Sequence, residues 1–256
     1  MLEETFQQGR SFLHRADPRA KIVSAFLLIA TIAVLNDLFA AACSLFISVL
    51  FLLVARLPIR RVIKRLIIVN AFIAFLWFFL PFSVHGREIF SIWKWEVTIE
   101  GVKFALLITI KCNAILLIII SFIATTPFPL LGFALSSLRF PTKLTLLMLI
   151  SYRYISVIKE EYDRLLEAAK VRGFVPRNNM HTYRTYAYLL AMVFIRSYER
   201  GLTVYQAMLL RGFNGKFYSL RKFRLARGDI LLSIIIGFCI MFLVYFNQVS
   251  NLPRPF

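Results

Sequence analysis

Acidic residues are scarce in this chain. Its 256 residues hold 13 Asp and Glu against 31 Lys and Arg, with three His and three Cys. The lack of a carboxylate or His cluster argues against a lipid-modifying membrane enzyme, which needs grouped polar chemistry at a defined depth. His14, His85 and His181 are far apart, so a transition-metal site built by this chain alone is not expected. Cys43, Cys112 and Cys239 are isolated in apolar stretches without a C-x-x-C, and read as small core residues. No G-x-x-x-x-G-K-S/T occurs, which excludes the ATP-binding subunit of a transporter. G-x-S-x-G and H-E-x-x-H are missing as well. The first 20 residues are polar and charged, so no cleavable signal is evident.

What remains is apolar and basic. The chain is 59% hydrophobic, yet it carries a formal net charge of +18. A soluble domain rarely combines the two, and membrane insertion with basic surfaces on one side is the direct inference. Nucleic acid is the usual alternative partner for such a balance. The uneven spread of charge favours the membrane: Ala124 to Arg227 holds 17 Lys and Arg against 5 Asp and Glu.

The pattern predicts an all-α polytopic protein of about five spans. Residues 1–123 form a polar arm and four transmembrane helices, 124–227 a cytoplasmic region of three amphipathic helices, and 228–256 a fifth span with its tail. Asp17 and Pro18 start the first helix as cap and first-turn residue. Lys21 to Leu35 and Leu38 to Ala55 make a hairpin about the Asn36-Asp37 turn. Arg56, Arg60, Arg61, Lys64 and Arg65 form a basic connector to a span from about Leu66 to Phe82. Ser83 to Gly101 is an acidic loop with Trp93 and Trp95 suited to an interface. Val102 to Ile123 returns to the basic side, and Asp229 to Asn247 crosses last. The positive-inside rule places the N-terminus in the cytoplasm and the C-terminus outside, in the cell's inner (plasma) membrane. Lys103 reads as snorkelling; Lys111 reads either as packed against a carbonyl or acid, or as functional.

Between the last two spans, Pro127 to Leu138, Pro141 to Val171 and about Thr182 to Leu210 read as sub-membrane helices. The run from Tyr186 to Ile195 is too short, between Arg184 and Arg196, to be a span. Two of these helices close on one phrase. Ala168-Ala169-Lys170-Val171-Arg172-Gly173-Phe174 and Ala207-Met208-Leu209-Leu210-Arg211-Gly212-Phe213 both read A-x-x-x-R-G-F. Gly173 and Gly212 suit the left-handed position past a helix end. Arg172 and Arg211 then sit where an apolar stripe (Ile158, Tyr162, Leu165, Ala169; Gly201, Val204, Met208) runs out. Neutralising the helix C-terminus is one explanation for each arginine. Two matched tips also suit two matched partner sites.

Asp17-Pro18-Arg19-Ala20-Lys21, Thr125-Thr126-Pro127, Tyr152-Arg153-Tyr154, Arg196-Ser197-Tyr198-Glu199-Arg200 and Ala207-Met208-Leu209-Leu210-Arg211-Gly212-Phe213-Asn214-Gly215 together resemble the transmembrane T component of energy-coupling factor transporters, specifically the CbiQ type of cobalt or nickel uptake systems. The resemblance implies a non-catalytic subunit without a cofactor or metal of its own. Two cytoplasmic ABC ATPase subunits (CbiO-like), which carry ATP and Mg, would dock on Arg172-Gly173 and Arg211-Gly212. Ala168, Ala169, Ala207, Met208, Arg196, Glu199 and Arg200 would support those helices, and a membrane substrate-binding subunit (CbiM-like) would lie against the apolar spans. No nucleic acid is implied. Where the family writes A-R-G, this chain has Val171-Arg172-Gly173 and Leu210-Arg211-Gly212. A T component serving vitamins, or a membrane scaffold for a dimeric cytoplasmic protein, would use the same tips.

Overall fold

The structure, a computed structural model, describes residues 11, 13, 16–83, 88–92, 95–138, 140–215 and 227–251. They form helices α1 (Pro18–Val34), α2 (Leu38–Ala55) and α3 (Ile59–Ser83), then strands β1 (Glu88–Ile92) and β2 (Trp95–Thr98). Helix α4 (Ile99–Ile118) follows, then α5 (Phe128–Ser137), α6 (Thr142–Val171), α7 (Met180–Leu210) and α8 (Arg227–Asn251). The molecule is an all-α polytopic membrane protein; among the described residues the departure is a small antiparallel β1–β2 hairpin, where the sequence suggested a loop. His14, His85 and Trp93, and the side chain of Trp95, lie outside what is described.

Two compact units are present, one holding α1–α4, the hairpin and α8, the other α5–α7. In the first, α2, α3, α4 with its extension to Ile123, and α8 are long and apolar enough to cross a membrane. The first of the five expected spans, α1, falls outside that set by length: its 17 residues reach about 26 Å at 1.5 Å per residue, the lower end of what a crossing helix needs. It nevertheless accompanies α8 along its length. The Asp17 N–H donates to Asp229 Oδ1 at 2.8 Å at one end, and the Asn36 N–H to Asn247 Oδ1 at 3.1 Å at the other.

A correction concerns the basic connector. Arg60, Arg61, Lys64 and Arg65 belong to the opening turns of α3, which starts at Ile59 rather than near Leu66. Long-stemmed cations are good helix formers and reach water from a helix end, so charge there does not force a loop. The break falls at Arg56, which closes α2 in the left-handed region at φ 50°.

Small residues let these helices approach. Ala25, Ala55 and Ala114 are buried among Leu28, Ile32, Phe51, Leu117, Phe122 and Ile236, Ala40 lies with Leu35 and Leu243, and Ala41, Ser44 and Ser48 are buried as well, as expected where lipid supplies no hydrophobic drive between helices. Several polar groups between the helices are paired. Asn70 and Asn113 exchange reciprocal amide bonds at 3.0 Å, and Trp77 Nε1 donates to Thr109 Oγ1 at 2.9 Å. Lys111 Nζ donates to the Ala33 carbonyl at 3.1 Å, the carbonyl-packed alternative for that residue. Helix α4 ends in a wide π-turn, Ile119–Ile123, where the Ala124 N–H reaches the Ile119 carbonyl. Thr125 and Thr126 hydroxyls then bond back to carbonyls of Ser121 and Phe122, which competes with the helical ladder as Pro127 stops it.

In the second unit, Phe128 stacks on Tyr152 with ring centroids 4.7 Å apart, and Gly132 admits Leu149 so closely that a Cβ there would clash. The unit's three helices match the expected segments to within a few residues, and α7 is not among the helices suited to cross a membrane.

Candidate functional site

The repeated phrase is one piece of geometry built twice. At the end of α6 the Phe174 N–H reaches back to the Ala169 carbonyl at 3.1 Å and the Gly173 N–H to the Lys170 carbonyl at 3.0 Å. At the end of α7 the Phe213 N–H reaches the Met208 carbonyl at 3.0 Å and the Gly212 N–H the Leu209 carbonyl at 2.9 Å. These paired bonds define a Schellman end, with the glycine left-handed and an apolar residue just beyond it. Gly173 has φ 86° and Gly212 φ 77°. Arg172 and Arg211 are the C-cap residues, their N–H groups shared among the carbonyls of Ala168 and Ala169, and of Ala207 and Met208.

Each letter of A-x-x-x-R-G-F thus has a task. Glycine makes the reversal, phenylalanine folds back on the helix, and arginine is left at the tip. Phe174 meets Tyr186 edge-on at 5.6 Å, and Phe213 lines a groove with Met208. Both arginines are exposed, and among the described residues neither forms an ion pair. Directly before them stand Val171, 88% exposed, and Leu210, 90% exposed, the two most exposed large apolar side chains described. A guanidinium beside an uncovered aliphatic group, twice, is a surface suited to a partner rather than to water.

Replacing either glycine tests the geometry. No atom lies within 4 Å of a Cβ built at Gly173 or Gly212, so the cost is purely conformational. Gly173→Val and Gly212→Val are each expected to destabilise the helix end by roughly 1–2 kcal/mol, read as lower melting temperature in detergent. Asn, which tolerates this region, is expected to cost less.

A groove of about 750 Å³ separates α6 from α7, lined by Tyr154, Ile158, Val204, Met208 and Phe213 among others. At its side, Arg196 pairs with Glu161 through a charge-assisted hydrogen bond, and Arg200 Nη2 lies 3.9 Å from the second oxygen of the same carboxylate. Arg196 and Arg200 are one helical turn apart, so one acid of α6 clamps two cations of α7. The Arg196 hydrogen bond, aided by the charges of Arg196, Arg164 and Arg200, holds the Glu161 carboxyl below the usual carboxylate range. Glu199 lines the groove and is exposed. Its carbonyl accepts from Thr203.

Glu161 is the residue that sequence reasoning missed. Its neighbour Glu160 pairs with Arg164, one turn on, at 3.7 Å on an exposed face. Glu161 stands instead on the stripe of Ile158, Tyr162 and Leu165, at the i+3 position from Ile158. A carboxylate on an apolar stripe was the available signal.

The described residues contain no group of three His, Cys, Asp or Glu placed to hold a metal ion. The profile of the CbiQ family, described as cobalt transport protein, matches residues 9–222. Among curated relatives, an energy-coupling factor transporter transmembrane protein of Staphylococcus aureus is 30% identical, covering 91% of this chain and 92% of its own length. Its counterpart in Ruminiclostridium cellulolyticum is 25% identical over 93% of this chain and 92% of its own. That of Bacillus subtilis is 26% identical over 84% and 85%.

Proposed function

Since the chain belongs to the CbiQ family, the transmembrane T component of energy-coupling factor transporters, we propose that it transmits ATP-driven motion of two cytoplasmic ATPase subunits to a separate substrate-binding membrane subunit. The observation that carries this reading is the pair of matching, exposed arginine tips in a single unit. Each tip docks one copy of the ATPase. Closure of the ATPase pair on ATP draws the tips with it, and α6 and α7, joined at Glu161, move as crossed levers. The planar guanidinium suits this work because its fork grips carboxylates or carbonyls in fixed orientation. ATP and Mg belong to the partner subunits, and this chain contributes no catalytic group or cofactor.

The N-terminal ends of α1 and α8 and the C-terminal end of α4 lie at one face of the membrane unit. The positive-inside rule makes that face cytoplasmic, with the N-terminus inside and the C-terminus outside. Cobalt or nickel ions are the proposed cargo, in line with the description of the family profile. A vitamin is the second reading, because the relatives are named for energy coupling without a metal.

The test is to purify the tagged protein from native membranes, identify its companions, and reconstitute the complex in proteoliposomes with ATP. Two ATPase copies per chain and ATP-dependent uptake of radiolabelled cobalt(II) or nickel(II) are expected. Uptake of labelled vitamins alone would replace the cargo but keep the coupling role. A stable dimeric companion other than an ATPase would make the protein a scaffold and end the coupling reading.

A further inference from the structure

Helices α1 and α8 run side by side in the same direction, so two helix N-termini, each a partial positive charge, meet at one face of the membrane unit. An acid stands at each. Asp17 caps α1 by accepting from the Arg19 N–H at 2.9 Å, and Asp229 lies in the first turn of α8. They are joined directly, the Asp17 N–H donating to Asp229 Oδ1. One turn along α1, Lys21 is 1% exposed, lies in the field of both carboxylates, and donates from Nζ to Thr126 Oγ1 at 3.1 Å.

The location matters as much as the burial. The chain leaves this unit immediately after Thr126-Pro127 to form α5–α7, and it returns ahead of α8. One lysine therefore ties α1 to both passages. Apolar contacts are non-directional and would let the three ends slide. A buried ammonium that needs the Thr126 hydroxyl as its acceptor and the field of Asp17 and Asp229 to balance its charge favours one register.

We infer that Lys21 is a positioning residue for coupling: with Asp17, Asp229 and Thr126 it fixes the exit after Pro127 and the return at α8 relative to α1, so that motion of α6 and α7 reaches the membrane spans instead of being absorbed at the joints. The inference rests on the coupling role proposed above.

The experiment uses the intact reconstituted complex and whichever of cobalt(II), nickel(II) or labelled vitamins the wild type carries. Lys21→Met is expected to keep the ATPases bound and hydrolysis within about twofold, while uptake per ATP falls roughly tenfold, within the range over which single residues alter coupling. Thr126→Val, which removes the acceptor together with the hydroxyl's own bond to the Phe122 carbonyl, is expected to lower the same ratio by a smaller factor. Lys21→Met with Asp229→Asn relieves the unbalanced acid and is expected to recover yield and melting temperature without recovering the ratio. If Lys21→Met does not assemble, Thr126→Val and the double variant decide the question by that ratio. A normal ratio in those variants, or a double variant that regains coupling together with yield, overturns the inference and leaves charge balance as the cluster's only task. Variants of Arg172 and Arg211 report on the coupling role separately. If they abolish uptake while the Lys21 and Thr126 variants leave it intact, only the present inference fails; if they transport normally, the coupling role itself fails.

Discussion

Arg172→Ala combined with Arg211→Ala is expected to strip the ATPase subunits from the purified protein and bring ATP-driven uptake to background. Each arginine is presented at a rigid Schellman end beside an almost fully exposed Val171 or Leu210. An arginine anchor covered by a partner typically contributes about 2 kcal/mol or more to binding, so each single change is expected to weaken its own site by roughly thirtyfold. Because the two tips belong to one chain, a single variant keeps its partner pair through the remaining tip at high effective concentration, whereas the double variant has no such hold. Single changes therefore reduce uptake more than they reduce ATPase retention. Arginine-to-lysine changes at both tips keep the charge and lose the fork, and are expected to fall between wild type and alanine if the grip is bidentate. The competing account treats both residues as neutralisers of helix C-termini, a stability effect of about 0.3–1 kcal/mol each. On that account the double variant melts slightly earlier but binds and transports normally. Co-purification and uptake in the same preparation separate the two.

Most of the architecture is legible in the amino-acid order because it depends on local or one-dimensional features. Runs of apolar residues mark α2, α4 and α8; Asp17 before Pro18 marks the start of α1; Pro141 and the two glycines mark the ends of α6 and α7. The A-x-x-x-R-G-F repeat is legible for the same reason, since a Schellman end is closed by residues within one turn of each other. What escaped is long-range. The pairing of Glu161 with Arg196 and Arg200 joins residues 35 or more positions apart. A helix periodicity argument sees each face but not what meets it. The same holds for Lys21, whose partners Thr126 and Asp229 come from distant segments. The start of α3 at Ile59 is hidden by its own charge, since a basic run resembles a connector although Arg and Lys favour helix. The hairpin is not marked by a two-residue Asn-Gly or Asp-Gly turn, the strongest local hairpin signal.

Glu161→Gln is expected to keep both ATPase copies bound and still lower ATP-driven uptake by roughly tenfold, in line with the coupling seen inside charge networks. The substitution is nearly isosteric, so the groove between α6 and α7 keeps its shape. What disappears is the negative charge that holds Arg196 and Arg200 to α6, leaving two guanidinium groups one turn apart without their counterion. The tips are untouched, which distinguishes this variant from the arginine pair: docking survives and lever rigidity does not. Cysteines placed at Ile158 and Val204, both lining the groove, are expected to cross-link more variably in Glu161→Gln than in wild type. The acid side of the pH profile carries the same signature. The Glu161 carboxyl is held below its ordinary range, chiefly by the Arg196 hydrogen bond. The stabilisation is therefore fully present above the ordinary carboxylate pKa and is lost as pH falls through the lowered folded value. Wild-type cross-linking is expected to stay uniform from neutral pH into mild acid and to broaden only below that range. Glu161→Gln is expected to be broad throughout, without an acid step of its own. If uptake, cross-linking and acid profile all match wild type, the two helices are held by the apolar contacts alone, and the Glu161 clamp takes no part in coupling.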